Sequence, residues 1–395
     1  MTARPAPSPA CPPVSGGWHE GDPAAFRRFA DLGPLRLESG AGLPAVRLAY
    51  ETWGRLNEAR DNAVLVLHAL TGDAHVTGPG GPDVPGQPTP GWWGEIVGPG
   101  RVLDTGRFFV VAANVLGGCE GSTGPSSAAP DGAPWGSRFP AVSTRDQVHA
   151  EARLADLLGV DRWSLVIGAS LGGQRAIEWA VGPPDRVERV AVVASGAQTT
   201  AEQAAWIHTQ IRAIELDPAW AGGDYHLSGS GPVGGLSLAR QIAHTTYRSP
   251  RELDARFGRL PQHEEDVLRG GRLAVESYLD HHGEKLVRRF DAGSYVALSR
   301  AMLSHDIGRD RGGVREALRA VTARTLVVAV DSDRLFFPQQ VWQIAEGVPG
   351  AYYREIHSDH GHDGFLIEHS QMSAILDEFL NQRIPARESV LAGSR

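Results

Sequence analysis

A glycine-flanked serine stands between an apolar run and a helix-forming stretch, and this junction constrains the fold more than any other part of the chain. The run occupies residues 163–167, the pentapeptide Gly-Ala-Ser-Leu-Gly follows at residues 168–172, and the helix-forming stretch covers residues 174–180. A serine on so sharp a turn needs a strained backbone, and a side chain at either flanking glycine would collide with the neighbouring strand or helix. The pattern predicts a nucleophilic Ser170 at a helix amino terminus, where the dipole favours negative charge. The alternative is a glycine-rich turn with a solvent-facing serine.

The apolar run before Ser170 is one of several with the length of a strand. Runs that are apolar on both faces and separated by helical stretches indicate a parallel sheet covered on both sides. Two alternating segments, residues 35–38 and 46–50, precede them and predict an antiparallel opening. The other predicted strands are residues 63–67, 108–112, 190–194, 325–330 and 352–356.

Residues 200–310 interrupt this alternation of strands and helices, because they contain no clear strand. Thr200 and Gln203 have the spacing of a helix capping box, and isoleucines recur at helical spacing after them. We therefore predict an α/β core at residues 16–199 and 311–395, with residues 200–310 inserted as a helical lid. The alternative is a separate helical domain, but the return to a core strand at residue 325 favours an insertion.

Composition and charge exclude several classes of protein. The 395-residue chain has a formal net charge of −8 and no long Lys/Arg block, so nucleic acid is not expected as a partner. No segment is apolar enough to span a membrane. Cys11 and Cys119 are the only cysteines, and their contexts do not suggest a disulfide, which is typical of a cytoplasmic protein. Residues 1–15 are rich in Pro and Ala without an apolar core, which predicts a disordered tail.

A serine hydroxyl needs a base to take its proton, and in α/β-hydrolase folds an acid and then a histidine follow the serine along the chain. The acid is expected after a late strand, where Asp331 and Asp333 both follow the run 325–330. The histidine is expected near the carboxyl terminus, and position alone leaves His360 and His362 in competition. The fold class predicted is the α/β-hydrolase fold, with a mostly parallel central sheet flanked by helices.

The histidine-rich loop also permits a different interpretation. His357, His360 and His362, together with Asp359, have residue types that ligate metals. A metal site would leave the serine turn and the aspartates after the strand unexplained. We therefore predict no metal here; loss of activity on chelation would favour one.

An oxyanion hole needs two backbone donors aimed at the developing negative charge. The residue after the nucleophile is Leu171, whose N–H we predict as one donor. The second is expected from the loop after an early strand, and residues 67–72 occupy that place, with Leu70 as the predicted donor. His68 in the same loop is interpreted as a packed histidine that supports the turn.

Several further motifs together resemble the homoserine O-acetyltransferase family of α/β-hydrolase acyltransferases. The resemblance covers about residues 50–368. The blocks that carry it are His-Ala-Leu-Thr-Gly-Asp at 68–73, Gly-Trp-Trp-Gly at 91–94, Gly-Pro-Gly at 98–100, Asn-Val-Leu-Gly-Gly-Cys at 114–119, Gly-Ser-Thr-Gly-Pro-Ser-Ser at 121–127, Trp-Gly-Ser-Arg-Phe-Pro at 135–140, Arg-Asp at 145–146 and Gly-His-Asp-Gly-Phe-Leu at 361–366.

The resemblance implies a choice among the acids and histidines and adds a substrate site. It implies Asp333 as the acid and His362 as the histidine of a triad with Ser170. Four further positions match residues that handle homoserine in this family: Thr71, Arg240, Tyr247 and Asp363. An arginine suits a bidentate contact with the amino-acid carboxylate, and an aspartate suits the ammonium. Lid packing for Arg240 and Tyr247, and helix capping for Asp363, are the alternatives.

The resemblance also implies an activity and an assembly. The activity is acyl transfer from an acyl-CoA, most simply acetyl-CoA, to L-homoserine through an acyl-serine, with no permanently bound cofactor. The family's lid mediates homodimers, so a homodimer is expected. At the serine turn the family usually reads Gly-Gly-Ser-Met-Gly-Gly-Met, whereas Ala169, Leu171 and Gln174 differ here. Succinyl-CoA, serine or another alcohol therefore stay open as substrates, and a plain esterase is the more distant alternative.

Overall fold

An eight-stranded sheet forms the centre of the computed structural model, which describes residues 13–182 and 184–381. Its strand order is β1-β2-β6-β3-β7-β8-β9-β10. The first two strands pair antiparallel, β2 also meets β6 antiparallel, and every later pairing in the sheet is parallel. The strands are β1 Arg28–Arg36, β2 Gly42–Trp53, β3 Ala63–Leu67, β4 Val97–Gly98, β5 Leu103–Asp104, β6 Phe109–Ala113, β7 Leu165–Ala169, β8 Arg189–Val193, β9 Arg324–Val330 and β10 Tyr352–Ile356. The short strands β4 and β5 form a separate pair.

The sheet is covered on both faces, as the doubly apolar runs predict. In β3, Ala63, Leu65 and Leu67 belong to one buried cluster, while Val64 and Val66 belong to a second cluster on the opposite face. Every residue of β3 and β7 is buried. This burial explains why the central strands lack the polar alternation that marks the antiparallel opening.

Eleven α-helices occur in the described chain, and six of them lie between β8 and β9. Those six interrupt the alternation of strand and helix without adding a strand to the central sheet. The helices are α1 Thr144–Leu158, α2 Leu171–Val181, α3 Ala201–Glu215, α4 Val233–Tyr247, α5 Pro250–Phe257, α6 Ala274–Val287, α7 Ala292–Leu303, α8 Val314–Arg319, α9 Pro338–Gly347, α10 Gly364–Ile367 and α11 His369–Leu380.

The start of α3 has the capping box predicted from the sequence. The Gln203 amide donates to the Thr200 hydroxyl at 3.3 Å, and the Thr200 amide donates to the Gln203 side chain at 3.0 Å. Ile207, Ile211 and Ile214 are buried on the inner face of this helix. The sequence predicts one continuous closing helix over residues 366–380, but the structure divides it, because Glu368 has a non-helical ψ of 54° that separates α10 from α11. The Glu368 carboxylate is used instead to accept a hydrogen bond from Ser358 at 2.8 Å.

The predicted amino-terminal tail is only partly within the described chain. Residues 1–12, with Cys11, lie outside the described residues. At residues 13–15 the structure differs from the prediction of disorder, because Val14 packs against the core and Ser15 is buried. The next residue, Gly16, donates its amide to the Phe290 carbonyl at 3.2 Å. No helix in the described ranges is long and apolar enough to cross a membrane.

Candidate active site

Ser170 sits at the junction of β7 and α2, in a strained backbone conformation. Its φ is 56° and its ψ is −122°, a combination that residues with a side chain rarely adopt. Two backbone contacts hold the turn: the Ser170 amide donates to the Val193 carbonyl at 3.0 Å, and the Ser195 hydroxyl donates to the Ser170 carbonyl at 2.8 Å. The neighbouring strand β8 and the loop after it therefore fix this turn.

The two glycines flanking Ser170 leave no room for a side chain. A β-carbon at Gly168 would lie 2.2 Å from the carbonyl oxygen of Gly172, at the start of α2. A β-carbon at Gly172 would lie 2.1 Å from the carbonyl oxygen of Leu67, at the end of β3. The close approach of helix to strand that the sequence pattern predicts is therefore present.

A buried aspartate–histidine pair lies after the last two strands of the sheet. His362 Nδ1 is 2.7 Å from Asp333 Oδ2, and both side chains are almost fully buried. The other carboxylate oxygen, Asp333 Oδ1, accepts hydrogen bonds from the amides of Leu335 at 2.8 Å and Phe336 at 3.0 Å. These bonds fix the carboxylate, and the Phe336 ring stacks on the imidazole at 5.5 Å between centroids.

The two competing candidates, Asp331 and His360, have other partners. Asp331 Oδ2 lies 3.0 Å from His357 Nδ1, and the His357 side chain is 75% exposed. His360 lies 3.4 Å from Glu252, a residue of the helical insertion. The described residues contain no group of three or more His, Cys, Asp or Glu side chains placed to hold a metal ion. Of the candidates that position alone left in competition, Asp333 and His362 are paired with each other, whereas Asp331 and His360 contact other residues.

The protonation of His362 is set by two opposing influences. Burial lowers its pKa, but the charge of Asp333, the hydrogen bond to it and the charge of Asp363 together outweigh burial and hold the pKa above the ordinary histidine value. Because Nδ1 is engaged by the carboxylate, the ring presents Nε2 as its free nitrogen. This buried Nε2 has no hydrogen-bond partner among the described residues.

The loop after β3 carries Leu70 and is held from below by a buried arginine. Arg175 of α2 donates from Nη2 to the His68 carbonyl at 2.6 Å and from Nη1 to Glu151 of α1. The second oxygen of Glu151 accepts a hydrogen bond from Trp179 Nε1 at 2.8 Å. Arg175 and Glu151 are both almost fully buried. The helix that supplies Leu171 is thus tied to the loop that supplies Leu70.

His68 supports the same loop through both ring nitrogens. Nε2 accepts the amide of Val115 at 3.1 Å, which leaves the proton on Nδ1 to be donated to the Ala69 carbonyl at 2.8 Å. Burial and the nearby charge of Arg175 lower the His68 pKa to about 3, so the ring is neutral. The histidine is therefore packed within the turn, as the sequence interpretation holds.

A cavity of about 560 Å³ lies between the helical insertion and two parts of the core, the loop after β3 and the turn at Asp363, next to His362. The core contributes residues from the loop after β3 and from the turn at Asp363, and α4 and α6 contribute most of the insertion's side. The polar side chains in its lining are Thr71, Asp73, His75, Thr89, Arg240, His244, Arg248, His282, Lys285, Arg289 and Asp363.

Three of the four predicted substrate residues form a connected row that ends at His362. Arg240 Nη1 donates to Thr71 Oγ1 at 3.3 Å, and the Arg240 guanidinium lies 5.4 Å from the centre of the Tyr247 ring. The Tyr247 ring in turn lies 5.8 Å from the imidazole of His362. The helix α4 therefore carries a cation and an aromatic ring to the candidate triad.

Asp363, the fourth predicted residue, already has a cationic partner. Arg248 Nη2 lies 3.3 Å from Asp363 Oδ2, and the same guanidinium contacts Glu252 at 3.1 Å. Burial raises the Asp363 pKa, although the charges of Arg248, His362 and Arg240 oppose that rise. The capping alternative is not seen, because Asp363 makes no side-chain capping bond to α10.

Comparison with known proteins places the chain in a family. The alpha/beta hydrolase fold family matches residues 62–368. The homoserine O-acetyltransferase of Thermobifida fusca is 59% identical over 373 residues, which cover 94% of this chain and 98% of the relative. This chain belongs to the homoserine O-acetyltransferase family. Homoserine O-acetyltransferase from Bacillus anthracis has a similar solved structure, with a TM-score of 0.82 at 26% identity over 91% of this chain and 99% of that one. Esterase E22 has the same TM-score and identity over 90% of this chain and 99% of its own.

The three positions at the serine turn that differ from the usual sequence of the homoserine O-acetyltransferase family are buried. Ala169, Leu171 and Gln174 are all almost inaccessible to solvent. The Gln174 amide donates to the Thr199 hydroxyl at 3.5 Å, just before α3. The polar replacement therefore contacts the base of the helical insertion and does not line the cavity.

Two cations that sequence reasoning missed are Arg248 and Arg175. Arg248 follows Arg240 and His244 at a spacing of four residues along α4 and its end, which is the signal that would have placed all three on one face. Arg175 lay in a segment read only as helix-forming. Its partners His68 and Glu151 are 107 and 24 residues away, so no local pattern indicates them.

Proposed function

We propose that this chain is an acyl-CoA-dependent O-acyltransferase that moves the acetyl group of acetyl-CoA to the hydroxyl of L-homoserine. The observation that carries the proposal is membership of the homoserine O-acetyltransferase family over nearly the whole chain. The strained turn at Ser170 and the buried Asp333–His362 pair support a serine-based acyl transfer, and the charged cavity supports binding of a polar acceptor.

In the first half-reaction Ser170 attacks the thioester carbonyl. His362 Nε2 takes the serine proton, while Asp333 holds Nδ1–H and stabilises the imidazolium that forms. The amides of Leu70 and Leu171 bind the oxygen that becomes negative. The carbon–sulfur bond then breaks, the proton passes from His362 to the leaving thiolate, and CoA departs, leaving an acetyl ester on Ser170.

In the second half-reaction the acceptor hydroxyl replaces CoA. His362 takes the hydroxyl proton as the oxygen attacks the acetyl-serine, and returns that proton to Ser170 when the ester bond breaks. The product is the O-acetyl ester of the acceptor, and the enzyme returns to its initial state. No permanently bound cofactor is needed, because the thioester is already activated.

Recognition of homoserine is assigned to the row of residues beside His362. Arg240 is the proposed partner of the substrate carboxylate, with Thr71 and Tyr247 holding its guanidinium in place. Asp363 is the proposed partner of the ammonium group. Because Arg248 already contacts Asp363, homoserine binding requires that the carboxylate be shared between them or that Arg248 turn toward Glu252.

A plain esterase is the second candidate function, because esterase E22 superposes as well as a homoserine O-acetyltransferase does. The fold alone does not decide between them, since an acyl-serine can pass to an alcohol or to water. The cavity favours transfer to a charged acceptor, because Arg240 and Asp363 provide both signs of charge within one lining.

The proposal extends to assembly and location. We propose a homodimer formed through the helical insertion, residues 200–310, where Leu238, Leu260, Val267 and Leu268 are exposed apolar side chains. Sedimentation of the purified chain measures this directly, and a monomer at micromolar concentration would contradict it. The cytoplasm is the proposed compartment, because the chain has only two cysteines and their contexts do not suggest a disulfide.

One assay separates these possibilities. Thiol release is followed from acetyl-CoA and from succinyl-CoA, each with homoserine, with serine and with no acceptor. The proposal expects sustained thiol release only when acetyl-CoA and homoserine are both present; without an acceptor, release should stop at about one equivalent per enzyme, because Ser170 stays acetylated. Release that does not depend on an acceptor indicates the esterase, and activity confined to succinyl-CoA or to serine excludes the stated substrates.

A further inference from the structure

The chain contains one lysine, and that lysine faces the active-site cavity. Of the 38 Lys and Arg residues, all are arginine except Lys285. Lys285 lies near the end of α6, is exposed to solvent, and contributes to the cavity lining. Every other basic position in the chain is arginine, so a lysine at this one position suggests a specific function. A lysine differs from an arginine in carrying a compact ammonium group on a flexible stem.

The other cations of the cavity already have partners within the protein. Arg240 donates to the Thr71 hydroxyl, and Arg289 donates to the Thr71 carbonyl at 2.8 Å. Arg248 is paired with Asp363 and Glu252. Lys285 makes no ion pair and no hydrogen bond within the described part of the chain. Its charge is therefore available to a ligand at the solvent-exposed edge of the cavity.

The surroundings of Lys285 do not neutralise it. His244 and His282 lie on the same side of the cavity and stay uncharged near pH 7, because burial and then Arg240 lower both pKa values, that of His282 to about 4. The acidic members of the lining are Asp73, whose charge acts on Arg289, and Asp363, which is paired with Arg248. This edge of the cavity is thus a place of positive potential.

We propose that Lys285 binds a phosphate group of the CoA donor at the mouth of the cavity. This inference rests on the proposed function. The pantetheine arm separates the thioester from the phosphates, so the phosphates of a donor whose thioester is at Ser170 must lie toward the exposed edge. An exposed, unpaired ammonium is suited to that contact, whereas Arg240 lies in the row beside His362 that we assign to the acceptor.

The test compares donors with and without phosphates. The ratio of kcat/KM for acetyl-CoA to kcat/KM for S-acetyl-pantetheine is measured in the wild-type protein and in Lys285→Gln. Loss of one charged contact to phosphate is expected to lower that ratio about tenfold. Arg288→Gln is the matched control, since it removes one positive charge from an exposed position three residues further along the chain, at the end of α6, which is not in the cavity lining. It is expected to leave the ratio unchanged.

A binding measurement is independent of turnover. Reductive methylation with ¹³C-formaldehyde labels Lys285 as the one side-chain amine, and its dimethylammonium keeps the charge. Its NMR signal is expected to shift when CoA is added and not when pantetheine is added. The signal is assigned by its absence from Lys285→Gln.

The outcomes are distinguishable. A selective fall in the ratio, together with a CoA-specific shift, supports the contact. An equal loss with both donors, or an unchanged ratio, or an equal fall in Arg288→Gln, overturns it. If the wild-type protein transfers acetyl groups from neither donor, the proposed function itself has failed, and the CoA-dependent shift alone then decides whether Lys285 meets phosphate.

Discussion

The guanidinium of Arg175 donates a hydrogen bond of 2.6 Å to the carbonyl oxygen of His68, joining the helix that begins at Leu171 to the loop that carries Leu70. The proposed oxyanion hole takes one donor from each of these two segments. A buried ion pair such as Arg175–Glu151 is weak evidence for stability, because desolvation offsets much of the Coulomb attraction. We expect the Arg175 contacts to matter instead because they fix the distance between the backbone amides of Leu70 and Leu171.

Arg175→Met is expected to impair both stability and acylation. Removing one partner of a buried pair costs about 3–5 kcal/mol, and freeing the His68 carbonyl is expected to lower kcat for acetyl transfer at least about tenfold. The double variant Arg175→Met/Glu151→Gln removes both charges and keeps an acceptor for Trp179. It should recover most of the unfolding free energy but not kcat, as measured by denaturant melts and thiol release. Recovery of kcat together with stability would contradict a positioning role.

Ser170 should be essential for transfer and costly for folding. Ser170→Ala is expected to lower kcat by at least about 10³-fold, because no acyl-enzyme can form. Ser170→Gly is expected to be inactive as well but more stable than Ser170→Ala by about 1–2 kcal/mol, since glycine adopts a φ of 56° without strain. Thermal denaturation of the two inactive variants measures the difference. Equal stability would mean that the turn stores little strain.

The pH dependence of kcat/KM should report His362. The base must be neutral to accept a proton, and its pKa is held above the ordinary value near 6.5, so activity is expected to rise with pH through a midpoint above about 6.5. Asp333→Asn removes the carboxylate that raises this pKa. Burial then dominates, so the midpoint should move to lower pH while kcat falls by roughly four orders of magnitude.

Asp331→Asn is the control for that measurement, because Asp331 pairs with the exposed His357. It should leave the pH midpoint unchanged and keep kcat within about twofold, since an exposed ion pair contributes at most about 1 kcal/mol. If Asp331→Asn and Asp333→Asn had the same effect, the assignment of the acid would be wrong.

Gly172→Ala should be among the most damaging small substitutions in the chain. Its β-carbon would meet the Leu67 carbonyl oxygen at 2.1 Å, so strand and helix must separate. We expect a loss of about 3 kcal/mol or more in unfolding free energy, at or above the upper end of the roughly 1–3 kcal/mol typical of overpacked cores, because the atom in the way belongs to the backbone. Gly42→Ala, whose nearest contact would be 3.8 Å away, should change stability by less than about 1 kcal/mol. Urea unfolding of both variants tests the contrast.

The central sheet could be read from the sequence because burial on both faces leaves continuous apolar runs. The runs 63–67 and 352–356 coincide with β3 and β10, while β6 and β8 are displaced by one residue from the predicted runs. The break at Glu368 has no local sequence signal, and the Glu368 carboxylate contacts Ser358, ten residues earlier in the chain. Local sequence patterns thus predict the buried strands well. They predict the ends of helices less well where contacts between distant residues decide those ends.

The candidate site likewise contains residues that local sequence patterns indicate and residues that only the fold identifies. Spacing and strand order indicated Ser170, but they left the aspartates and histidines after β9 and β10 unresolved. Only the fold shows that Asp333 and His362 are buried together while Asp331 and His357 face solvent. The partners of Arg175 are likewise set by packing between distant segments.

The segment from Val14 to Trp18 connects two parts of the molecule that border the cavity. Gly16 is bonded to Phe290, at the foot of the helical insertion, and the Trp18 amide donates to the Cys119 carbonyl in the core at 2.9 Å. Shortening the chain at residue 12 would spare both attachments, whereas shortening it at residue 19 would remove one of the links between the helical insertion and the core. The amino-terminal segment therefore acts as a backbone cross-link between the helical insertion and the core, and its removal is expected to loosen their contact.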